Sequence, residues 1–284
     1  MVSVVIINYN DKNRIVRAIN SALNQSYKDK EVIVVDDGSD IETRELYKQF
    51  KDIKLVQLER DNKTARTPSR ARNEGIKVAK GNYICFLDSD NYYNVDFLKE
   101  MCKYNHDVMY CNWKITGLKE MECKIEKVYD MNHELLNNYL ARTHLDHQCL
   151  LIKKSLLDKV GMYDERLPRS QDCDMIVRLM KVTDDWYHVP ETLFIFEKHE
   201  GDQTKNVASI YGKALWCMKL GLNLNWLIDK IKDYPILLWS IFKAVNDFKT
   251  KPEWKDDFEK SPYYEVDKKH PEMLGKELQE VING

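Results

Sequence analysis

The sequence predicts an α/β fold in which helices cover both faces of a mostly parallel sheet. Strand-like apolar runs alternate with amphipathic stretches along the first hundred residues, the signature of strands buried on both faces. Three of those runs also stop abruptly in polar clusters: Asn8-Tyr9-Asn10, Asp36-Asp37-Gly38-Ser39 and Asp88-Ser89-Asp90. In such sheets ligands sit beyond the carboxyl ends of the strands, so the three clusters are expected to converge on one rim.

Val2 to Ile7 reads as the first buried strand. Asp11 is placed to cap the helix that follows, whose Ile15, Ala18, Ile19, Ala22 and Leu23 share one face. Strand Glu31 to Val35, helix Ile41 to Phe50 and a strand around Lys54 to Leu58 come next. A helix carrying Ala71, Gly75, Val78 and Ala79 on one side stops at Gly81, and strand Tyr83 to Leu87 runs into Asp88. From about Asp107 the pattern changes. Val108 to Ile115, Lys124 to Tyr129, His147 to Ile152 and Tyr187 to Phe196 read as strands. Glu134 to Ala141, Ser155 to Val160 and a stretch burying Met175, Ile176, Leu179 and Met180 read as helices. The chain divides into a catalytic domain over 1–204, with halves 1–106 and 107–204, and a helical extension over 205–284.

Composition narrows the function. A formal net charge of −2 without a basic half gives no generic grip on nucleic acid. The seven cysteines are scattered and form no CxxC pair, which reads as reduced thiols in a cytoplasmic protein. The N-terminus lacks a basic lead and looks like a strand, not a signal peptide. Pro235 to Phe242 is too short to span a bilayer.

Asp88 and Asp90 stand two apart at a strand end, where a turn can aim both carboxylates at one hard cation. Asp36-Asp37-Gly38-Ser39 is either a solvated turn opening a helix or a place where a carboxylate accepts from a base N–H or a ribose hydroxyl. Neither GxGxxG nor GxxxxGK[ST] occurs, so a diphosphate here would be neutralised by a metal and basic side chains. Of Arg66, Arg70 and Arg72, the last, directly before Asn73, is the best placed to pair with diphosphate or orient a carboxylate. Gln171-Asp172 opens a helix, where the aspartate is either a first-turn charge or a general base. His199 follows a strand and is either a ligand or a surface histidine.

Taken together, VSVVIINYN, SALNQSY, EVIVVDDGSD, PSRARNEGI, GNYICFLDSDN, CLLIKKSLLDKVGMYDERL, QDCDMIVRL and the His199 region resemble the family 2 glycosyltransferases of the GT-A fold across residues 2–204. The resemblance implies a Rossmann-like sheet and transfer of a sugar from a nucleotide diphosphate donor, in the first instance a UDP-sugar, to an acceptor hydroxyl with inversion. It implies a glycan, polysaccharide or lipid-linked acceptor. By position, Asn8 and Tyr9 would flank the base, Asp37 would contact base or ribose, and Arg72 would sit beside the diphosphate. Asp88 would contact ribose, or the metal through water. Asp90 and His199 would hold Mn²⁺ or Mg²⁺, and Asp172 would be the base. Gln171, on the acceptor side, stands where the family has Glu, and Thr67-Pro68 where it has Gly-Val. A nucleotidyltransferase and an inactive nucleotide-sugar-binding module are the alternatives; the first lacks its glycine-rich loop, since Asn10 to Arg14 contains no glycine. The Trp- and Leu-rich 205–284 region packs on the catalytic domain, self-associates, or holds a lipid-linked acceptor at the inner face of a membrane.

Overall fold

The computed structural model describes residues 1–59, 68–118, 121–123 and 145–199, with 214–215, 243–244, 247–248 and 250–254 beyond them. The chain divides into two compact units. One holds Met1–Asp164 and Asp172–Asp202, the other Glu165–Gln171 and Gln203–Gly284.

Among the described residues, the first unit is built on a sheet of nine strands. β1 (Val2–Asn8), β2 (Lys30–Asp36), β3 (Ile53–Gln57) and β4 (Tyr83–Asp88) lie parallel in the order β3-β2-β1-β4. Val4, Val5, Ile6, Ile33, Val34, Val35, Ile84, Phe86 and Leu87 have no solvent exposure, as expected for strands covered on both faces. The sheet continues through β8 (Leu150–Lys153), β6 (Val108–Gly117) and β9 (Trp186–Lys198) to β5 (Tyr92–Tyr93), and β7 (Met121–Cys123) pairs with β6. β8 runs antiparallel to both β4 and β6, while β6 and β9 are parallel. The carboxyl ends of β1, β2, β4 and β9 therefore point the same way, and β8 begins where they end.

Helices follow the hydrophobic period. α1 (Ile15–Leu23) buries Ile15, Ala18, Ile19 and Ala22, and α2 is Ile41–Tyr47. The α1 cap differs from expectation. No side chain caps it, because the Asp11 carboxylate is taken by Arg14 Nε at 3.0 Å. α3 (Pro68–Val78) starts on proline, whose missing N–H costs nothing at a first helical position. A Cβ on Gly75 would come within 2.3 Å of Val5 Cγ1, so glycine lets α3 lie tight on β1. Ile76, and not Val78, completes its buried face. α4 (Phe97–Met101), α5 (Lys154–Lys159) and α6 (Gln171–Met180) follow.

The strand expected from His147 begins only at Leu150; His147–Cys149 is a 3-10 turn, with Asp146 accepting from Gln148 N at 2.8 Å. That side-chain bond offers the backbone an alternative to the ladder. Expectations over Lys124 to Tyr129, Glu134 to Ala141 and nearly all of the 205–284 extension fall outside the described residues. In the second unit, Arg166 lies 4.4 Å over the Trp254 ring and donates to Glu253 O at 2.6 Å. Among the described residues no helix is long and apolar enough to cross a membrane.

Candidate functional site

At the ends of β1 and β2, Asn8 and Asp36 are register partners. Asn8 Nδ2 donates to Tyr47 Oη at 2.7 Å, and Tyr47 Oη donates to Asp36 Oδ1 at 2.9 Å. Asp36 Oδ2 accepts from Ser39 N at 3.2 Å and Arg44 Nε at 3.1 Å. Asp36 is fully buried, and its carboxylate is saturated by scaffold donors. Burial, and then the neighbouring Asp36, push the Tyr47 phenol well above its ordinary range, so it stays a donor. Of the two successive aspartates, only Asp37 is part-exposed at the rim; Tyr9 beside it is 47% exposed.

The acidic turn follows β4. Arg72, nearly buried on α3, donates from Nη2 to Asp88 Oδ1 at 2.8 Å, and its guanidinium lies 5.4 Å over the Tyr163 ring. Burial opposes ionisation of Asp88, but Arg72 and then His147 outweigh it and hold the carboxyl below its usual range. Asp90 is the reverse case. Burial first, and Asp88 second, push it up to about 6, with His199 and Arg14 opposing. Its Oδ2 lies 3.3 Å from His199 Nε2, and its Oδ1 is buried with no hydrogen-bond partner.

Asp90 and His199 stand 109 residues apart, and the fold brings them together because β4 and β9 end on the same rim. Among the described residues no three His, Cys, Asp or Glu side chains form a self-sufficient metal cage. The present pair nonetheless fits a hard divalent cation: one carboxylate oxygen lacks any partner, an imidazole adjoins the other, and such ions commonly take remaining ligands from substrate phosphates. Outward of His199 is a cleft of about 560 Å³, lined by Arg14, Arg17, Glu197, Lys198 and neighbouring residues.

Asp172 lies part-exposed in the first turn of α6, near enough to Arg72 to help keep that guanidinium charged against the pull of burial. Gln171, the first residue of the same helix, is buried and donates from Nε2 to Leu167 O at 3.0 Å. Arg70 is a surface residue donating to Glu59 O at 3.3 Å, and Arg66 lies outside the described residues.

Sequence reasoning missed several groups. Gln148 Oε1 accepts from Asp88 N at 2.8 Å and from Asn91 Nδ2 at 3.2 Å, anchoring the turn from the start of β8. Asp146 is pushed up by burial, with Asp172 and Asp88 adding to the rise and His147 opposing it. His147 is buried, with Nδ1 3.4 Å from Asp146 Oδ1 and its ring beside the contacting rings of Phe86 and Tyr163. The partners of Gln148 lie 57 and 60 residues away, a separation at which no local pattern points to them.

A mixed sheet with a parallel core, an acidic turn beyond β4 and a histidine closing on it from β9 define a GT-A-like domain. Comparison with known proteins agrees. The model of glycosyl transferase family 2 matches residues 3–161. An uncharacterized glycosyltransferase of Rickettsia prowazekii is 31% identical over 218 residues, covering 73% of this chain and 67% of that protein. One from Methanocaldococcus jannaschii is 30% identical over 85% of each chain. The UDP-Glc:α-D-GlcNAc-diphosphoundecaprenol β-1,3-glucosyltransferase WfaP of Escherichia coli is 40% identical over 93 residues, 33% of this chain and 36% of its own. The crystal structure of S. aureus TarS 1-349 in complex with UDP-GlcNAc shares the fold, with a TM-score of 0.62 at 20% identity over 90% of this chain and 79% of that one. The chain belongs to glycosyl transferase family 2 and is a glycosyltransferase.

Proposed function

We propose that the chain transfers a sugar from a UDP-sugar to an acceptor hydroxyl with inversion, using a divalent cation, Mn²⁺ or Mg²⁺, held by Asp90 and His199. One observation carries the reading: the buried, unpartnered Asp90 Oδ1 beside His199, on the rim where Asn8, Asp37 and Asp88 also end. The UDP and UDP-GlcNAc complexes of TarS and the UDP-glucose donor of WfaP support a UDP-sugar donor. The GlcNAc-diphosphoundecaprenol acceptor of WfaP also favours a glycan on a lipid diphosphate as acceptor here.

In this reading Asn8, Tyr9 and Asp37 receive the base and ribose, and Asp88, fixed by Arg72 and Gln148, contacts the ribose. The cation, when bound, neutralises charge developing on the diphosphate. Arg72 adds fixed positive charge beside it at no cost of reorganisation. Asp172 takes the proton of the acceptor hydroxyl. That oxygen then forms its bond to the anomeric carbon from the face opposite the departing diphosphate, so configuration inverts in one displacement. Gln171 in place of the family's glutamate leaves this proton transfer to Asp172.

A panel of UDP-sugars, with release of UDP followed in Mn²⁺ and in EDTA, tests the donor and cation together. Asp172→Asn is expected to abolish transfer while UDP affinity stays near that of the parent. Donor release that is indifferent to EDTA sinks the cation assignment; loss of UDP affinity in Asp172→Asn sinks the base assignment.

A further inference from the structure

Asp90 and His199 belong to elements that the sheet does not pair directly, since β8 and β6 lie between β4 and β9. Their 3.3 Å approach must therefore be held by something other than the β4 ladder. Short β5 supplies part of the link, with Tyr92 opposite Ile195 and Tyr93 opposite Phe194 on β9. Asn91 supplies another, accepting from Glu197 N at 2.9 Å while its own amide donates to Gln148. Those bonds hold the residues that follow Asp90 and leave Asp90 itself to a different group.

That group is Arg17, one turn into α1. Its Nη2 donates to Asp90 O at 3.0 Å and also pairs with the Glu197 carboxylate, while its guanidinium lies 4.5 Å over the Tyr92 ring. One planar group thus touches the acidic turn, the residue after it on β5, and the strand that ends in His199. We propose that Arg17 is a positioning residue that, through Glu197, sets the separation between Asp90 and His199; the inference rests on the cation reading above.

The energetics separate this role from ordinary stabilisation. The side chains of Arg17 and Glu197 are 38% and 28% exposed, and ion pairs in such settings contribute little to stability. Geometry is another matter. A guanidinium offers several donors in a fixed plane and can serve a carbonyl and a carboxylate while stacking on a ring. A lysine ammonium has no plane with which to do the same. The pair faces a cleft lined also by Asn13, Arg14, Lys198 and His199, and of these Arg14 is engaged by Asp11.

The test is Mn²⁺ binding to the full chain, read by the electron paramagnetic resonance signal of free Mn²⁺, with thermal melting measured alongside. Arg17→Met is expected to weaken Mn²⁺ binding about tenfold, the scale of a lost outer-shell partner, with little change in melting temperature. Arg17→Lys and Glu197→Gln are expected to lose part of the affinity, and UDP binding without metal stays unchanged in all three. Affinity within twofold of the parent in Arg17→Met, while Asp90→Asn loses Mn²⁺, overturns the positioning role and leaves the cation site standing. Full affinity in Arg17→Lys beside a loss in Arg17→Met shows that charge alone matters and overturns it as well. Retained Mn²⁺ binding in Asp90→Asn removes the cation site and the inference with it. Should Arg17→Met fail to fold, Glu197→Gln decides: parent affinity there refutes the linkage to β9.

Discussion

Asp36 and Asp90 are both strand-end aspartates on the same rim, and the fold treats them in opposite ways. Around Asp36 every nearby donor is spent: Ser39 N, Arg44 and the Tyr47 hydroxyl close on its two oxygens. Around Asp90 the donors are withheld, leaving one buried oxygen without a partner and the carboxyl raised to about 6. A saturated buried carboxylate fastens the scaffold, whereas an unsaturated one is a binding capacity kept open at a cost in stability. Exposure differs as well, since Asp36 is fully buried and the Asp90 side chain is 27% exposed, yet the buried Asp90 Oδ1 is the oxygen left without a partner.

The comparison is open to direct attack. The largest effect is expected at the open carboxylate: Asp90→Asn should lower metal-dependent transfer by more than the ~10–100-fold typical of an outer-shell partner, measured as UDP release at saturating donor. Residual turnover near that of the parent would break the distinction. Next, Asp36→Ala should destabilise the fold by about 3 kcal/mol in urea unfolding, because it strands the buried Tyr47 hydroxyl and a guanidinium together.

A smaller effect of opposite sign follows from the raised Asp90. An unfolded carboxyl titrates at roughly 4, so between about 4 and 6 the folded protein holds a proton that the unfolded chain has lost. Stability of the metal-free protein therefore falls as pH rises through that window. Asp90→Asn should remove this dependence and stabilise the metal-free protein at pH 7 by on the order of 1 kcal/mol. Unfolding midpoints at pH 4.5 and 7, compared between parent and variant, measure it; an equal slope in both would refute the open-carboxylate account. Last, Arg44→Met should cost under about 1 kcal/mol, since its side chain is 30% exposed and Ser39 and Tyr47 still hold Asp36. A loss as large as that of Asp36→Ala would show that the ion pair, and not the hydrogen-bond set, secures the scaffold.

Much of the fold is legible in the chain because burial of both strand faces and of one helix face writes a periodicity into neighbouring residues. The parallel core and α1 through α3 follow that rule. The 3-10 turn at His147–Cys149 escaped it, since its cause is a single Asp146 side-chain bond that competes with the strand. The site was legible to a lesser degree. Asp88, Asp90 and Arg72 announced themselves by type and placement, but Arg17, Asn91 and Gln148 act through partners 57 to 180 residues distant. Nothing near them in the sequence records those partners.

The sequence by itself determined the α/β class, the ends of the parallel strands and the polar clusters that follow them, because each depends on residues within one element. Tertiary structure alone decided which strand-end aspartate is saturated and which is open. It also brought His199 to Asp90 and set Arg17 over the turn between them. The physical reason is that a carboxylate's character depends on the donors that surround it in space, and in this protein those donors come from α1, α2, α3 and the end of β9, elements far apart in the chain.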